Sequence, residues 1–189
     1  GRVEGVEGGT LELDADVDNA GADGTRQAVV LDAAQGEVVV DGEIANAVIT
    51  LGTAQGAVVA NGEIANAVID GPEGSVLTAN DGGTLNNTVL NTDLVVPNSQ
   101  EPAVTNALTL NGTASLAGDG SNTELEFEGT QTLDGSGTIE LSRENVSAEE
   151  DPNNRVFVRS TTDEAESLLT VGENITLRGD GEIDTSSAA

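Results

Sequence analysis

Residues 35–69 contain one phrase written twice. Gln35-Gly36-Glu37-Val38-Val39-Val40-Asp41-Gly42-Glu43-Ile44-Ala45-Asn46-Ala47-Val48-Ile49 returns 20 residues later as Gln55-Gly56-Ala57-Val58-Val59-Ala60-Asn61-Gly62-Glu63-Ile64-Ala65-Asn66-Ala67-Val68-Ile69. A fixed period of this size sets the architecture before any local assignment is made. Each copy is a set of short apolar runs separated by Gly, Asn and Asp. Neither copy is long enough to bury its own apolar face, whereas stacked copies form a continuous core. Three short strands are expected per copy, at 38–40, 43–45 and 47–51, with corners near Asp41-Gly42 and at Asn46. Three strands in about 20 residues is too tight for hairpins and suits one triangular coil of a solenoid.

A looser third copy, Gly83-Thr84-Leu85-Asn86-Asn87-Thr88-Val89-Leu90, matches residues 62–69 at an offset of 21. It makes Ile44, Ile64 and Leu85 equivalent, and likewise Asn46, Asn66 and Asn87. These three asparagines are expected to form a structural ladder at one corner, because Asn tolerates the left-handed conformation that corners require. Ligand recognition is the alternative role for them.

The apolar residues are of an unusual kind. Phe127 and Phe157 are the sole aromatics, and Trp, Tyr, Met and Cys are absent. The core must therefore be Val, Leu, Ile and Ala in many thin layers. Net charge is -28, from 34 acidic residues against six arginines, with no Lys or His. Such a surface repels nucleic acid and anionic lipid. It also repels itself, and is most compact in salt, where the Debye length falls to about 3 Å at 1 M. That composition fits a halophilic protein, the alternative being an ordinary marine or secreted bacterial surface protein. Without Cys there is neither disulfide nor thiolate metal site. No signal peptide or transmembrane run is read, and the start at Gly1 without Met suggests a processed piece.

Along the chain, residues 9–18 read as one strand, with Leu11, Leu13, Ala15 and Val17 on a dry face and an acidic face opposite. Residues 19–24 read as a turn and 28–31 as a strand. A loop is expected near 97–105, flanked by Pro97 and Pro102. Residues 112–120 return 17 residues later at 129–137, which suggests a second repeat family with a third member at 169–183. Between these copies Leu125 and Phe127 alternate with Glu124, Glu126 and Glu128, which reads as a dry face and an acidic face. An excursion at 142–167 interrupts the family. The chain is thus expected to be one all-β domain over 1–189, a parallel β-helix with coils of about 17–21 residues.

The phrase Leu169-Thr170-Val171-Gly172-Glu173-Asn174-Ile175-Thr176-Leu177-Arg178-Gly179-Asp180-Gly181-Glu182-Ile183, with the 112–137 pair, resembles the parallel β-helix repeats of large prokaryotic surface proteins. Filamentous-haemagglutinin-like adhesins and autotransporter passengers are the relatives in question. The resemblance covers most of the chain from residue 28 onward and implies a right-handed parallel β-helix exposed outside the cell. The chain departs from that pattern in being short, strongly acidic and without an obvious capping helix.

Few motifs carry chemistry. Asp14, Asp16 and Asp18 have the spacing of a calcium loop, but Asn19 and Thr25 stand where the loop needs Gly and Glu. An acidic strand face explains the same residues. Calcium-binding nonapeptide repeats need Asp where the 118–126 segment has Thr123. Asn86, Asn111, Asn145 and Asn174 each begin an Asn-x-Ser/Thr sequon, an acceptor for glycans in a secreted archaeal or eukaryotic protein. Carboxylates are plentiful, so a catalytic acid pair is compatible with the sequence. There is, however, no His or Lys for proton work and no Tyr or Trp to stack on sugars. No cofactor is implied. The expectation is a non-catalytic extracellular protein, the protomer of a filament assembled head-to-tail through strand contacts with copies of itself. Cell-surface or matrix polysaccharide is a further expected partner. The alternatives are a stalk or binding segment of a large adhesin, and a carbohydrate-active enzyme or phage fibre domain.

Overall fold

The computed structural model describes residues 2–4, 9–21, 25–32, 37–51, 57–118, 121–143, 154–161 and 167–186. Among them there is no helix. Every pairing between strands is parallel, and stacked strands lie about 23 residues apart on average, so the fold is an all-β parallel solenoid. One sheet has eight strands, which define eight rungs: Thr10–Leu13, Glu37–Val40, Ala57–Ala60, Val76–Ala79, Asp93–Val96, Thr113–Gly118, Thr138–Arg143 and Thr176–Gly179. This is the first face. The second sheet has 13 strands and creases along its length into a second and a third face. Each coil therefore passes first, second and third face before climbing one rung.

The crease lies where the backbone turns left-handed. Asn46, Asn66, Asn87 and Asn106 have φ of 55, 49, 51 and 64°, and Gly129 takes the next rung at 77°. In Thr84–Leu90 and Ala103–Leu110 the register shifts at Asn87 and Asn106, so the strand turns there without ending. Asn reaches this conformation at lower cost than branched residues do.

The triangular interior is filled by stacked columns. On the first face, Leu11, Val38, Val58, Leu77, Leu94, Ala114, Ile139 and Leu177 lie in register. On the second, Val17, Ile44, Ile64, Leu85, Val104, Phe127, Val158 and Thr185 do so. On the third, Val29, Ile49, Ile69, Leu90 and Leu110 follow one another. From rung two to rung seven nearly all of these side chains are buried. At about 25 cal/mol per Å² of apolar surface, this burial is the main favourable term. Gly62 marks how closely the rungs approach at the first corner. A Cβ there would lie 2.2 Å from the Gly42 carbonyl oxygen of the rung below.

Coil length varies along the axis. On the first face the steps Val38 to Val58, Leu77, Leu94 and Ala114 are 20, 19, 17 and 20 residues, within the expected range. The outer steps are longer: 27 from Leu11 to Val38, 25 from Ala114 to Ile139 and 38 from Ile139 to Leu177.

Three sequence readings are corrected. Residues 9–18 are two strands, Thr10–Leu13 and Val17–Asp18, on different faces. The Leu13 carbonyl accepts from Asp41 and Gly42, which forces the corner between them. The 17-residue repeat of 112–120 in 129–137 is not the structural repeat. Gly129 lies at the crease, whereas Gly112 leads into the first face, so Thr113 stacks on Thr138 and then on Thr176. Finally, Glu124 and Glu126 do not form a wetted face; each is only 5% exposed. Around the expected loop, Pro97 to Pro102 lie outside strands and Ala103–Leu110 is a strand. Within the expected excursion, Asn154–Arg159 is a strand of the second face.

Candidate functional site

Hydrogen-bonded side-chain ladders run up the corners. At the first corner Asn80 donates Nδ2 to Asn61 Oδ1 (2.9 Å), and Asn61 donates to Asp41 (2.8 Å). At the corner between third and first faces Asn111 donates to Asn91 (2.7 Å), and Asn91 to Asp70 (2.6 Å). From the crease Asn106 donates to Asn86 of the second face (2.6 Å), and Asn86 to Glu63 Oε1 (2.7 Å). At the crease Asn87 donates to Asn66 (2.8 Å) and Asn46 to Asp18 (2.9 Å).

All these bonds point from the later rung to the earlier one. An amide is donor and acceptor at once, so it suits any interior place in such a chain. The lowest member needs only to accept. In the three longer ladders that member is a carboxylate, Asp41, Asp70 or Glu63, and below Asn46 it is Asp18. Asp18 also accepts from the Ala20 amide (3.1 Å). The Asn46 amide, then the Ala20 amide, hold its carboxyl below the usual carboxylate range. Of the ladder foreseen through Asn46, Asn66 and Asn87, the Asn87–Asn66 bond is present, whereas Asn46 bonds Asp18 and not Asn66. Three further ladders run beside it. Asp41 and Asn61 do occupy equivalent places in the doubled phrase, but Asp replaces Asn there, and the upper members Asn80, Asn91, Asn106 and Asn111 lie outside it.

The remaining predicted residues fall as follows. Asp14 and Asp16 lie at the corner before Val17–Asp18, and Asp16 accepts from the Glu43 amide at 3.1 Å. Asp16 and Asp18 both serve as hydrogen-bond acceptors. Asn86 is half-buried in its ladder, and the hydroxyl of its sequon partner Thr88 is buried, donating to the Ile64 carbonyl at 3.1 Å. Asn111 is exposed but engaged, Asn174 is exposed in a turn, and Asn145 lies outside the described residues.

A second cluster lies outside the second face at rungs six to eight. Glu124 and Glu126 project outward, and Arg155 and Arg159 stand one rung above. Arg155 reaches Glu124 at 2.9 Å and Asp184 at 3.6 Å; Arg159 pairs with Glu126. Phe157 lies between the arginines, 5.9 Å from each guanidinium carbon. Carboxylate oxygens of Glu101, Glu124 and Glu126 lie within 4.8 Å of one another. Burial raises the Glu124 and Glu126 carboxyls above the usual range, against the pull of Arg155 and Arg159 respectively. Glu124 and Glu126 each hold a guanidinium.

No helix among the described residues is long and apolar enough to cross a membrane. Compared with family descriptions, curated proteins and solved structures, this chain matches none.

Proposed function

We propose that the chain is a non-catalytic structural rod of the cell exterior, stacked end to end into a filament through its terminal rungs. The observation that carries this reading is the state of the last rung. Ile183 stands above the buried Val156 and Val171 above the buried Leu133, yet Ile183 is 59% and Val171 39% exposed. Neighbouring Leu168 is 61% exposed. At the other end, Val17 of the inward column is 36% exposed. Core columns open to water, beneath strand edges that no further strand among the described residues pairs, are templates for a further parallel rung. The acidic exterior keeps such a rod soluble, and salt screens the repulsion between copies. The engagement of Glu124 and Glu126 by arginine supports the non-catalytic part of the reading.

The same open rung supports a second reading, in which further coils of a longer adhesin cover it. Negative-stain electron microscopy of the purified chain at molar salt separates the two. A filament of eight-rung units has an axial repeat of about 38 Å, at about 4.8 Å per rung. Ile183→Lys is expected to leave separate rods. Separate rods from the unsubstituted chain overturn the filament reading and leave the stalk reading in place.

A further inference from the structure

The crease ladder is interrupted between rungs two and three. Asn46 donates downward to Asp18 and Asn66 accepts from Asn87, but no hydrogen bond joins Asn46 to Asn66. Among the described residues, Asn46 Oδ1 and Asn66 Nδ2 are therefore an acceptor and a donor without partners. Arg26 enters at this gap. It donates Nε to the Asn66 backbone carbonyl at 2.5 Å, spanning 40 residues of sequence. That bond engages Nε, and among the described residues the two terminal nitrogens of Arg26 have no partner. Arg155, Arg159 and Arg178 each meet a carboxylate. Among the described residues, Arg26 meets none.

These groups line one open groove on the outer side of the third face, with Thr25, Val48 and Val68. Val48 and Val68 are stacked in register and half-buried, and they form an apolar floor. The outward column continues through Val89 and Thr109 without a charge. On the same outer side Asp70, two residues after Val68, accepts from Asn91, and Asp18 at the foot of the ladder accepts from Asn46.

We infer that this groove binds a sugar acid: a carboxylate on a hydroxylated ring, as in a uronate unit of an acidic polysaccharide. The terminal nitrogens of Arg26 match the two oxygens of a carboxylate in a fork geometry. Asn66 Nδ2 and Asn46 Oδ1 supply one donor and one acceptor for ring hydroxyls. The valine floor takes the C–H face of the ring. Size decides against a protein occupant, because a stable protein interface needs about 800 Å² per partner. Six lining residues fit one or two sugar units. The site is independent of how the rod ends associate.

The test is a titration of the isotope-labelled full chain with a uronate trisaccharide, read by amide chemical shifts at moderate salt. Saturable shifts are expected at Asn46, Val48, Asn66 and Val68. The methyl ester of the same sugar, which lacks the charge, is expected to bind about tenfold more weakly or worse. Arg26→Gln is expected to weaken binding by a similar factor. Asn66→Asp keeps the acceptor that Asn87 needs and replaces only the free donor, so it separates loss of the site from loss of the fold. It is expected to abolish the shifts while the rest of the spectrum stays in place. Equal binding of acid and ester, unchanged binding by Arg26→Gln, or no saturable shift overturns the proposal. So does the outcome in which these amides respond to added unlabelled chain and not to sugar, since the occupant is then a second copy.

Discussion

Rungs two to five and rungs six to eight solve the same stacking problem differently. The central coils climb by 17–20 residues and join their corners with amide ladders. The later coils climb by 25 and 38 residues, their crease passes to Gly129, and Arg–Glu pairs replace the amides. The difference follows from what in-register stacking does to a polar side chain. Like residues on successive rungs of a parallel sheet sit about 4.8 Å apart. Stacked amides attract, because each donates and accepts. Stacked carboxylates repel, and neither can donate. In the ladders an acid is therefore tolerated at the lowest place, as with Asp41 and Asp70. In the later rungs Glu124 has Arg155 above it in register. The first solution places one carboxylate at the foot of each ladder and only neutral amides above it. The second tolerates long excursions but buries charge, which is costly unless every ion stays paired.

The comparison breaks most severely at the joint. Phe127 is fully buried and belongs to the inward column between Val104 and Val158. Phe127→Ala is expected to cost about 3–5 kcal/mol. Because rungs interact mainly with their neighbours, the loss weakens one interface more than the rest. Calorimetry is expected to resolve two transitions in place of one, and a single broad shift would mean that the two regions are not separable. Next in size is Arg155→Ala, at about 2 kcal/mol, because it leaves Glu124 buried without its guanidinium. The double substitution of Arg155→Ala with Glu124→Gln is expected to cost less than the single one, measured by urea denaturation. If instead the double costs as much as the two singles added, the pair is a surface contact and the contrast between regions is weaker.

The parts of this fold that could be read in the sequence are those where the chain repeats itself. Ile44, Ile64 and Leu85 fall in register because the phrases carrying them have the same length. The crease was legible for the same reason. Asn61 and Asn80 lie 19 residues apart in coils of different wording, so no alignment of phrases pairs them. Alternation misled at Glu124 and Glu126. It gave their outward direction correctly, but burial depends on what stands one rung above, and Arg155 and Arg159 arrive from 31 and 33 residues away. Residues 9–18 alternate perfectly and still break, because a corner is set by the Asp41-Gly42 backbone docking onto Leu13. A strand's own pattern carries no record of the neighbour that bends it.

The order of amide and carboxylate in a ladder has a smaller effect on stability. Asn61→Asp retains the acceptor for Asn80 but sets a carboxylate over Asp41 and removes the 2.8 Å bond between them. It is expected to cost about 1–2 kcal/mol at neutral pH. Asp41→Asn merely ends the ladder on an unused donor and is expected to cost under about 0.5 kcal/mol. Equal costs for the two would show that the order of amide and carboxylate does not matter.

The smallest effect is the most diagnostic, since the foot of the crease ladder, where Asp18 of rung one meets Asn46 of rung two, and the later rungs are expected to answer acid with opposite signs. The Asp18 carboxyl is held low by its hydrogen bonds from Asn46 and Ala20. Its contribution is present above the unfolded value of 3.8 and fades as pH falls through the lower folded value. Glu124 and Glu126 are held high by burial, so the folded state binds their protons more readily than the unfolded chain does. Their contribution is complete below the unfolded value of 4.5 and is lost as pH rises through the higher folded one. Hydrogen exchange, corrected for its intrinsic pH dependence, is expected to show stronger protection in Asn154–Arg159 between neutral pH and about 4.5. Below about 3.8 the amides of Asn19 and Ala20, beside Asp18, are expected to open. A uniform response along the axis would mean that relief of the net charge of -28 outweighs both local terms. The two ways of stacking would then differ in geometry but not in how they hold their protons.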